Sequence, residues 1–183
     1  MPRPRLTLLL PLALALALPV AARAQRPPPI LLESGAGIQR AVQESYCVSK
    51  VDETGGAGVC ADTPDLRPRR LSVVRPGEVV TIALPGATIV RRDPGCHPLC
   101  EAGAAVFRLG RRKALVARFR LAGERTRWLV RLRPGAYEVE VFVGLFRTTD
   151  GRSGDTSGSL GILVSRTQPR RIVPVAPRPA LTG

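Results

Sequence analysis

The strongest constraint on the fold is a period of two in the apolar residues of the central part of the chain. Between residues 127 and 133, Trp128, Val130 and Leu132 alternate with arginines. Successive side chains of a β-strand point to opposite faces, so this pattern buries one face of each strand, as antiparallel sheets do. The same spacing recurs in the stretches 71–75, 78–84, 113–121, 137–143 and 160–164. Short strands separated by Gly and Pro turn signals, with no amphipathic helix, predict an all-β sandwich or barrel.

One stretch also carries a family resemblance. Residues 132–137, Leu-Arg-Pro-Gly-Ala-Tyr, lead into alternating valines and resemble the tyrosine corner of fibronectin type III and other immunoglobulin-like modules. Residues 75–82 resemble the first strand pair of such modules. The resemblance implies an antiparallel immunoglobulin-like β-sandwich of about seven strands. It also implies that Tyr137 is the corner residue, its hydroxyl bonded to backbone just upstream, and that Trp128 is a core aromatic. It implies architecture, not activity.

The turn at Pro134-Gly135 leaves two local arrangements open. The chain either crosses between two sheets there, as the resemblance implies, or it forms a plain hairpin. In the hairpin, Arg131 faces Glu138 on the solvent side, and Trp128 faces Val141 on the core side. Both arrangements bury the same side chains.

The N-terminus predicts export. Arg3 and Arg5 precede an apolar run from Leu6 to Val20, and Ala22-Arg23-Ala24 supplies small residues where signal peptidase cleaves. The run is shorter than the ~20 residues that a helix needs to cross a bilayer. We therefore expect residues 1–24 to be a cleaved signal peptide and the mature protein to be secreted or extracytoplasmic, with no transmembrane anchor after processing.

Proline content sets the expected domain limits. Residues 25–36 contain three consecutive prolines, which are typical of a stiff, extended linker. Residues 169–183 hold four prolines and three arginines, which favour a disordered basic tail. The β-sandwich domain is accordingly expected at 37–168.

The net charge suggests an anionic partner. The chain has 28 basic and 14 acidic residues, and removal of three leader arginines leaves 25 against 14, a net charge of +11. Such a charge attracts anionic polymers of a cell envelope. A G+C-rich genome is an alternative source of the bias, because only Lys50 and Lys113 are lysines. Aromatic residues are too few for a single-strand nucleic-acid platform, so no specific nucleic acid is expected.

The four cysteines are Cys47, Cys60, Cys96 and Cys100, an even set that predicts disulfides in an exported chain. Three pairings are possible, and proximity favours Cys47–Cys60 and Cys96–Cys100. The alternative for the second pair is a copper or zinc site formed by Cys96, His97 and Cys100 in the reduced state. Adjacent Cys96 and His97 bind one ion only with a sharp turn, and a fourth ligand is not evident.

Catalytic patterns are weak. His97 is the single histidine, so any triad must use it, and no Gly-x-Ser-x-Gly elbow is present. Glu138 and Glu140 share one face of a strand, ~7 Å apart, and are a weakly supported candidate for an acid–base pair. We expect them instead to face solvent and to pair with arginine. In the glycine-rich loop expected at 148–159, Arg152 lies between two aspartates and opposes calcium binding.

These patterns together predict no enzyme, no catalytic residue and no cofactor. The expected function is an exported binding or structural module of a bacterial envelope or culture medium. The alternative is an exported copper- or thiol-handling protein that uses residues 96–100.

Overall fold

The computed structural model describes residues 26–52, 55–63, 68, 70–90, 101–109, 114–167 and 173–174. These ranges contain thirteen strands, and none of their residues lies in a helix of the length and hydropathy that a bilayer crossing requires. The strands are β1 Leu31–Ser34, β2 Gly37–Arg40, β3 Val42–Asp52, β4 Gly55–Asp62, β5 Arg70–Val74, β6 Val79–Ala83, β7 Ala87–Ile89, β8 Ala102–Arg108, β9 Ala114–Arg120, β10 Arg125–Leu129, β11 Gly135–Thr148, β12 Arg152–Val164 and β13 Val173–Pro174.

The strands form two sheets. The smaller sheet has the order β10-β6-β1-β2, and the larger sheet has the order β13-β5-β12-β11-β8-β9. Strand β3 extends the larger sheet beside β12, β4 pairs with β3, and β7 pairs with the end of β11. The pairs are antiparallel except β5 with β12, which is parallel. The predicted all-β antiparallel sandwich is confirmed, but about seven strands was too low an expectation for a chain with thirteen described strands.

The core lies between the inner faces of the two sheets. Alternation along each strand supplies it, as the period of two predicted, because every second residue points inwards. The smaller sheet contributes Leu32, Val80 and Ile82, and the larger sheet contributes Val106, Tyr137, Val139, Val141, Phe146, Leu160 and Ile162.

The segment 130–134 crosses from one sheet to the other. Strand β10 pairs with β6 in the smaller sheet, whereas β11 pairs with β12 and β8 in the larger sheet. Val130 bonds to the turn between β5 and β6 instead of to β11: its N–H donates to the Glu78 carbonyl, and its carbonyl accepts from Gly77 N–H. The plain hairpin that places Arg131 opposite Glu138 is therefore wrong.

The folded part of the chain begins before residue 37. Strand β1 pairs with both β2 and β6, and Ile30 and Leu32 belong to the core. Pro27 and Pro28 are buried as well. The range 25–36, expected to be a linker, thus supplies a strand of the smaller sheet. In the expected tail, Val173–Pro174 forms β13 and pairs with β5.

The glycine-rich stretch expected to be a loop at 148–159 is mostly strand, and the turn is limited to 149–151. Gly151 has a φ of 82° there, a conformation that favours glycine. A Cβ at Gly154 would overlap the carbonyl oxygen of Cys47, and one at Gly161 would lie 2.5 Å from the carbonyl oxygen of Arg70. Because β3 and β5 approach β12 so closely, glycine is required in a strand that its own propensity disfavours.

Candidate functional site

Five exposed arginines lie on the end strands β9 and β10 or in the segment that follows β10, and we call this set the arginine edge. Strand β9 is an end strand of the larger sheet and β10 an end strand of the smaller one. The rings of Phe119 on β9 and Trp128 on β10 stack at a centroid distance of 4.8 Å, so the two end strands lie side by side. The arginine edge consists of Arg118, Arg120, Arg127, Arg131 and Arg133.

Strand alternation places three of these side chains outwards, those of Arg118, Arg120 and Arg127. On β9, Phe119 points inwards and Arg118 and Arg120 point outwards, because successive residues alternate. On β10, Trp128 points inwards and Arg127 outwards in the same way. The arginine pattern that predicted strands therefore also produces a charged rim around a half-buried aromatic pair.

The acidic groups near the edge are engaged elsewhere. Glu33 pairs with Arg125, which is why Arg125 is not counted in the arginine edge. Glu124 is the one acidic residue between residues 114 and 133, and its carboxylate accepts a hydrogen bond from the N–H of Gly86 at 3.3 Å. The five arginines have no ion pair with any carboxylate in the described ranges.

Tyr137 anchors the segment that carries two of the arginines. Its side chain is 2% exposed, and its hydroxyl donates a hydrogen bond to the carbonyl oxygen of Arg133, four residues upstream, at 2.7 Å. This is the hydrogen bond by which a tyrosine corner fixes a crossing between two sheets. Trp128 is partly buried and packs against the core.

The cysteine prediction is resolved for one pair. Cys47 and Cys60 form a disulfide between directly opposed residues of β3 and β4. Cys96, His97 and Cys100 lie outside the described residues, so the second disulfide and the copper or zinc alternative stay predictions. Within the described residues, no group of three or more His, Cys, Asp or Glu side chains could hold a metal ion.

Glu138 and Glu140 do not form the solvent-facing pair that the alternation suggests. Glu138 is only 3% exposed, so the expectation that it faces solvent is wrong. It lies directly opposite Gly161 in the register, and the side chains of Leu71 and Pro68 lie over that glycine. The burial arises from chain segments far away in sequence, which local alternation does not reveal.

In the turn between β11 and β12, the carboxylate of Asp150 is held by hydrogen bonds from nearby residues of the same turn. The Nε–H of Arg152 donates to both carboxylate oxygens of Asp150, at 3.0 and 2.9 Å, and the Thr148 hydroxyl donates to one of them. These hydrogen bonds lower the pKa of Asp150 from 3.8 to about 2. Asp155 lies in β12 opposite Cys47, so the two aspartates do not converge on a cation.

A depression of about 500 Å³ lies at the turn between β5 and β6, lined by Gly35 and residues 75–79. Its acidic residue is Glu78, whose carboxylate accepts hydrogen bonds from the backbone N–H groups of Gly35 at 2.7 Å and Arg75 at 2.8 Å. The carboxylate therefore ties β1 to this turn, which is a structural role.

Comparison with known proteins supplies no relative. No protein-family model matches the chain. No curated protein matches it, and no solved structure matches it either. The arginine edge thus rests on the geometry and charge of this chain alone.

Proposed function

We propose that the protein is an exported, non-enzymatic β-sandwich module that binds an anionic polymer of a bacterial envelope through the arginine edge. The observation that carries the proposal is that two adjacent end strands, β9 and β10, and the segment that follows them carry five exposed arginines with no ion pair in the described residues. Export is the part of the proposal that rests on the N-terminal leader, residues 1–24.

The form of the edge favours a polymer over a small ligand. Its arginines extend over β9, β10 and the crossing segment instead of converging on a cavity. Alternate residues of a strand are ~7 Å apart, so Arg118 and Arg120 would contact successive anionic groups of an extended chain. Arginine binds phosphate, sulfate and carboxylate groups through paired N–H donors, which suits such repeated groups.

The test is binding of the mature protein to poly(glycerol phosphate) and to dextran sulfate, measured at low and high salt. Binding by exposed charges is screened by salt, so we expect the affinity to fall steeply as ionic strength rises. Arg127→Glu combined with Arg131→Glu should weaken binding at low salt by about tenfold or more, since each attraction becomes a repulsion.

The matched control is Arg40→Glu combined with Arg166→Glu. Both arginines are exposed, the change in net charge is the same, and Arg40 lies on β2, at the opposite end of the smaller sheet from β10. The control should retain most of the affinity. Equal losses in both variants, salt-independent binding, or no binding at low salt would each overturn the proposal.

A further inference from the structure

The outer face of strand β11 buries a carboxylate and exposes an aromatic ring. Glu138, Glu140 and Phe142 point outwards from this strand, because the valines that alternate with them belong to the core. Glu138 is 3% exposed, whereas Phe142 is 49% exposed. Burial of apolar side chains stabilises a fold, so stability alone would favour the opposite arrangement. The phenyl group is therefore available for contact with a ligand.

Phe142 has small cross-strand neighbours on this face. It lies directly opposite Gly103 of β8 and Ser157 of β12. The hydroxyl of Ser157 is hydrogen-bonded to that of Ser45 at 2.9 Å, on the side away from Phe142. Neither a glycine nor a serine is large enough to cover a phenyl ring, which accounts for the exposure.

The same row of residues leads to the arginine edge. Arg120 of β9 lies directly opposite Gly103, so Arg120, Gly103 and Phe142 stand side by side on three adjacent strands. Two strand spacings, ~10 Å, separate the arginine from the phenylalanine. Because Gly103 has no side chain to fill the space between them, a shallow gap remains. A guanidinium group borders the gap on one side, and a phenyl ring borders it on the other.

The charges on this face favour an anion at the Arg120 side of the gap. Arg118 and Arg120 both point outwards and have no ion pair with a carboxylate in the described ranges. Glu140, in the next row, already has a partner within the protein. Asp62 ends the row on the far side, three strands beyond Phe142. An anionic group is thus attracted to one side of the ring and repelled from the other.

This arrangement matches the chemistry of an acidic sugar residue. A sugar ring presents C–H groups on its faces, and the face of an aromatic ring carries partial negative charge, so the two rings stack. A carboxylate, sulfate or phosphate substituent accepts paired N–H donors from a guanidinium group. A sugar ring stacked on Phe142 would extend such a substituent across Gly103 to Arg120.

We propose that the protein binds an anionic polysaccharide, with one sugar ring stacked on Phe142 and the acidic substituent of that ring paired with Arg120. The inference rests on the proposed function and narrows its anionic polymer to one built from sugar rings. Arg118 binds the acidic group of a neighbouring sugar residue, ~7 Å further along β9. The arginines select for charge, and Phe142 selects for the sugar.

The test compares two probes at low salt: dextran sulfate, which is built from sugar rings, and poly(glycerol phosphate), which contains none. Phe142→Ala should weaken binding of dextran sulfate by about fivefold to tenfold, because the stacking contact is lost. Its affinity for poly(glycerol phosphate) should equal that of the wild type. Arg120→Glu should weaken binding of both polymers, because it reverses a charge that both contact.

Two control variants separate stacking from other effects. Phe142→Tyr keeps the aromatic ring and should retain the affinity for dextran sulfate. Ile38→Ala removes another exposed apolar side chain, 64% exposed, on β2 of the smaller sheet, and should bind both polymers as the wild type does. The melting temperatures of the Phe142 variants show whether the fold is retained.

The outcomes distinguish this inference from the proposed function. Equal losses for the two polymers in Phe142→Ala, or unchanged binding of dextran sulfate, would refute the sugar contact and leave the proposed function standing. A wild-type protein that binds poly(glycerol phosphate) alone would do the same. A wild-type protein that binds neither polymer would count against the proposed function and the inference together.

Discussion

At the scale of single residues, Tyr137 shows how one hydroxyl positions the arginine edge. The side chain is buried, and its hydrogen bond to the carbonyl of Arg133 holds the crossing segment against the larger sheet. A partly buried carbonyl that loses its donor is left without a partner, which costs free energy.

The first prediction concerns this hydrogen bond. Tyr137→Phe should lower the free energy of unfolding by roughly 0.5–1.5 kcal/mol, because the ring remains and only the hydrogen bond is removed. Urea unfolding measures the change. Tyr46→Phe is the matched control, since Tyr46 is the other tyrosine and is only partly buried. Equal stability of Tyr137→Phe and the wild type would contradict a structural role for the corner.

The second prediction concerns pH. The pKa of Asp150 falls from 3.8 to about 2 in the folded protein, chiefly through the hydrogen bond from Arg152. A lowered folded-state pKa stabilises the protein above the unfolded-state value, and this contribution is lost as the pH falls through the folded-state value. The melting temperature of the wild type should therefore exceed that of Asp150→Asn at neutral pH, and the two should converge near pH 2. A difference that does not change between these limits would contradict this account.

At the scale of elements, the β3–β4 hairpin depends on its disulfide. Strand β4 is rich in glycine and contributes little side-chain burial, so the bond between Cys47 and Cys60 supplies much of the hairpin's order. Closing a loop of this size stabilises a fold mainly by restricting the unfolded chain.

The third prediction follows from that bond. Cys47→Ser combined with Cys60→Ser should lower the free energy of unfolding by roughly 2–3 kcal/mol. Hydrogen exchange should accelerate in β4 while the amides of β11, at the centre of the sheet, exchange in proportion to global stability only. Unchanged exchange in β4 would show that strand pairing alone holds the hairpin.

Local alternation predicted some elements and missed others for physical reasons. Strong alternation in 78–84 and 137–143 corresponds to β6 and β11, because these strands bury one face. Strands β1, β4 and the first half of β12 carry polar residues or glycine. Their strand conformation depends on hydrogen bonds to neighbouring strands, which a local pattern does not show. The sequence also did not show which strands pair with each other. Whether the chain turns back or crosses at Pro134 depends on Val130 binding the turn after β5, a contact between residues far apart in sequence.

The candidate site was partly predictable for the same reasons. The alternation of arginines in 118–133 was visible in the sequence. The adjacency of β9 and β10 was not visible, since those strands belong to different sheets. The basic character of the chain predicted an anionic partner without locating the surface. Burial of Glu138 was hidden because Leu71 and Pro68, which lie over its neighbour Gly161, come from another part of the chain.

At the scale of the whole molecule, charge is separated across the larger sheet. The β9 side carries arginines and the β3–β4 side carries carboxylates. Such a distribution orients the molecule towards an anionic surface.

The fourth prediction concerns the route to that surface. Expression of the full chain in a bacterial host should give a product outside the cytoplasm that begins at Gln25, because the leader ends in a small-residue cleavage site. Intact mass before and after reduction gives the N-terminus and the number of disulfides together. A product that begins at Met1 and remains in the cytoplasm would contradict export.

The arginine edge is tested most directly by amide chemical-shift mapping of the mature protein during titration with dextran sulfate at low salt. We expect the perturbed amides to lie at residues 118–120 and 127–133 and to recover when salt is added. Perturbations centred on β1 and β2, or spread evenly over all exposed arginines, would contradict a polymer-binding edge.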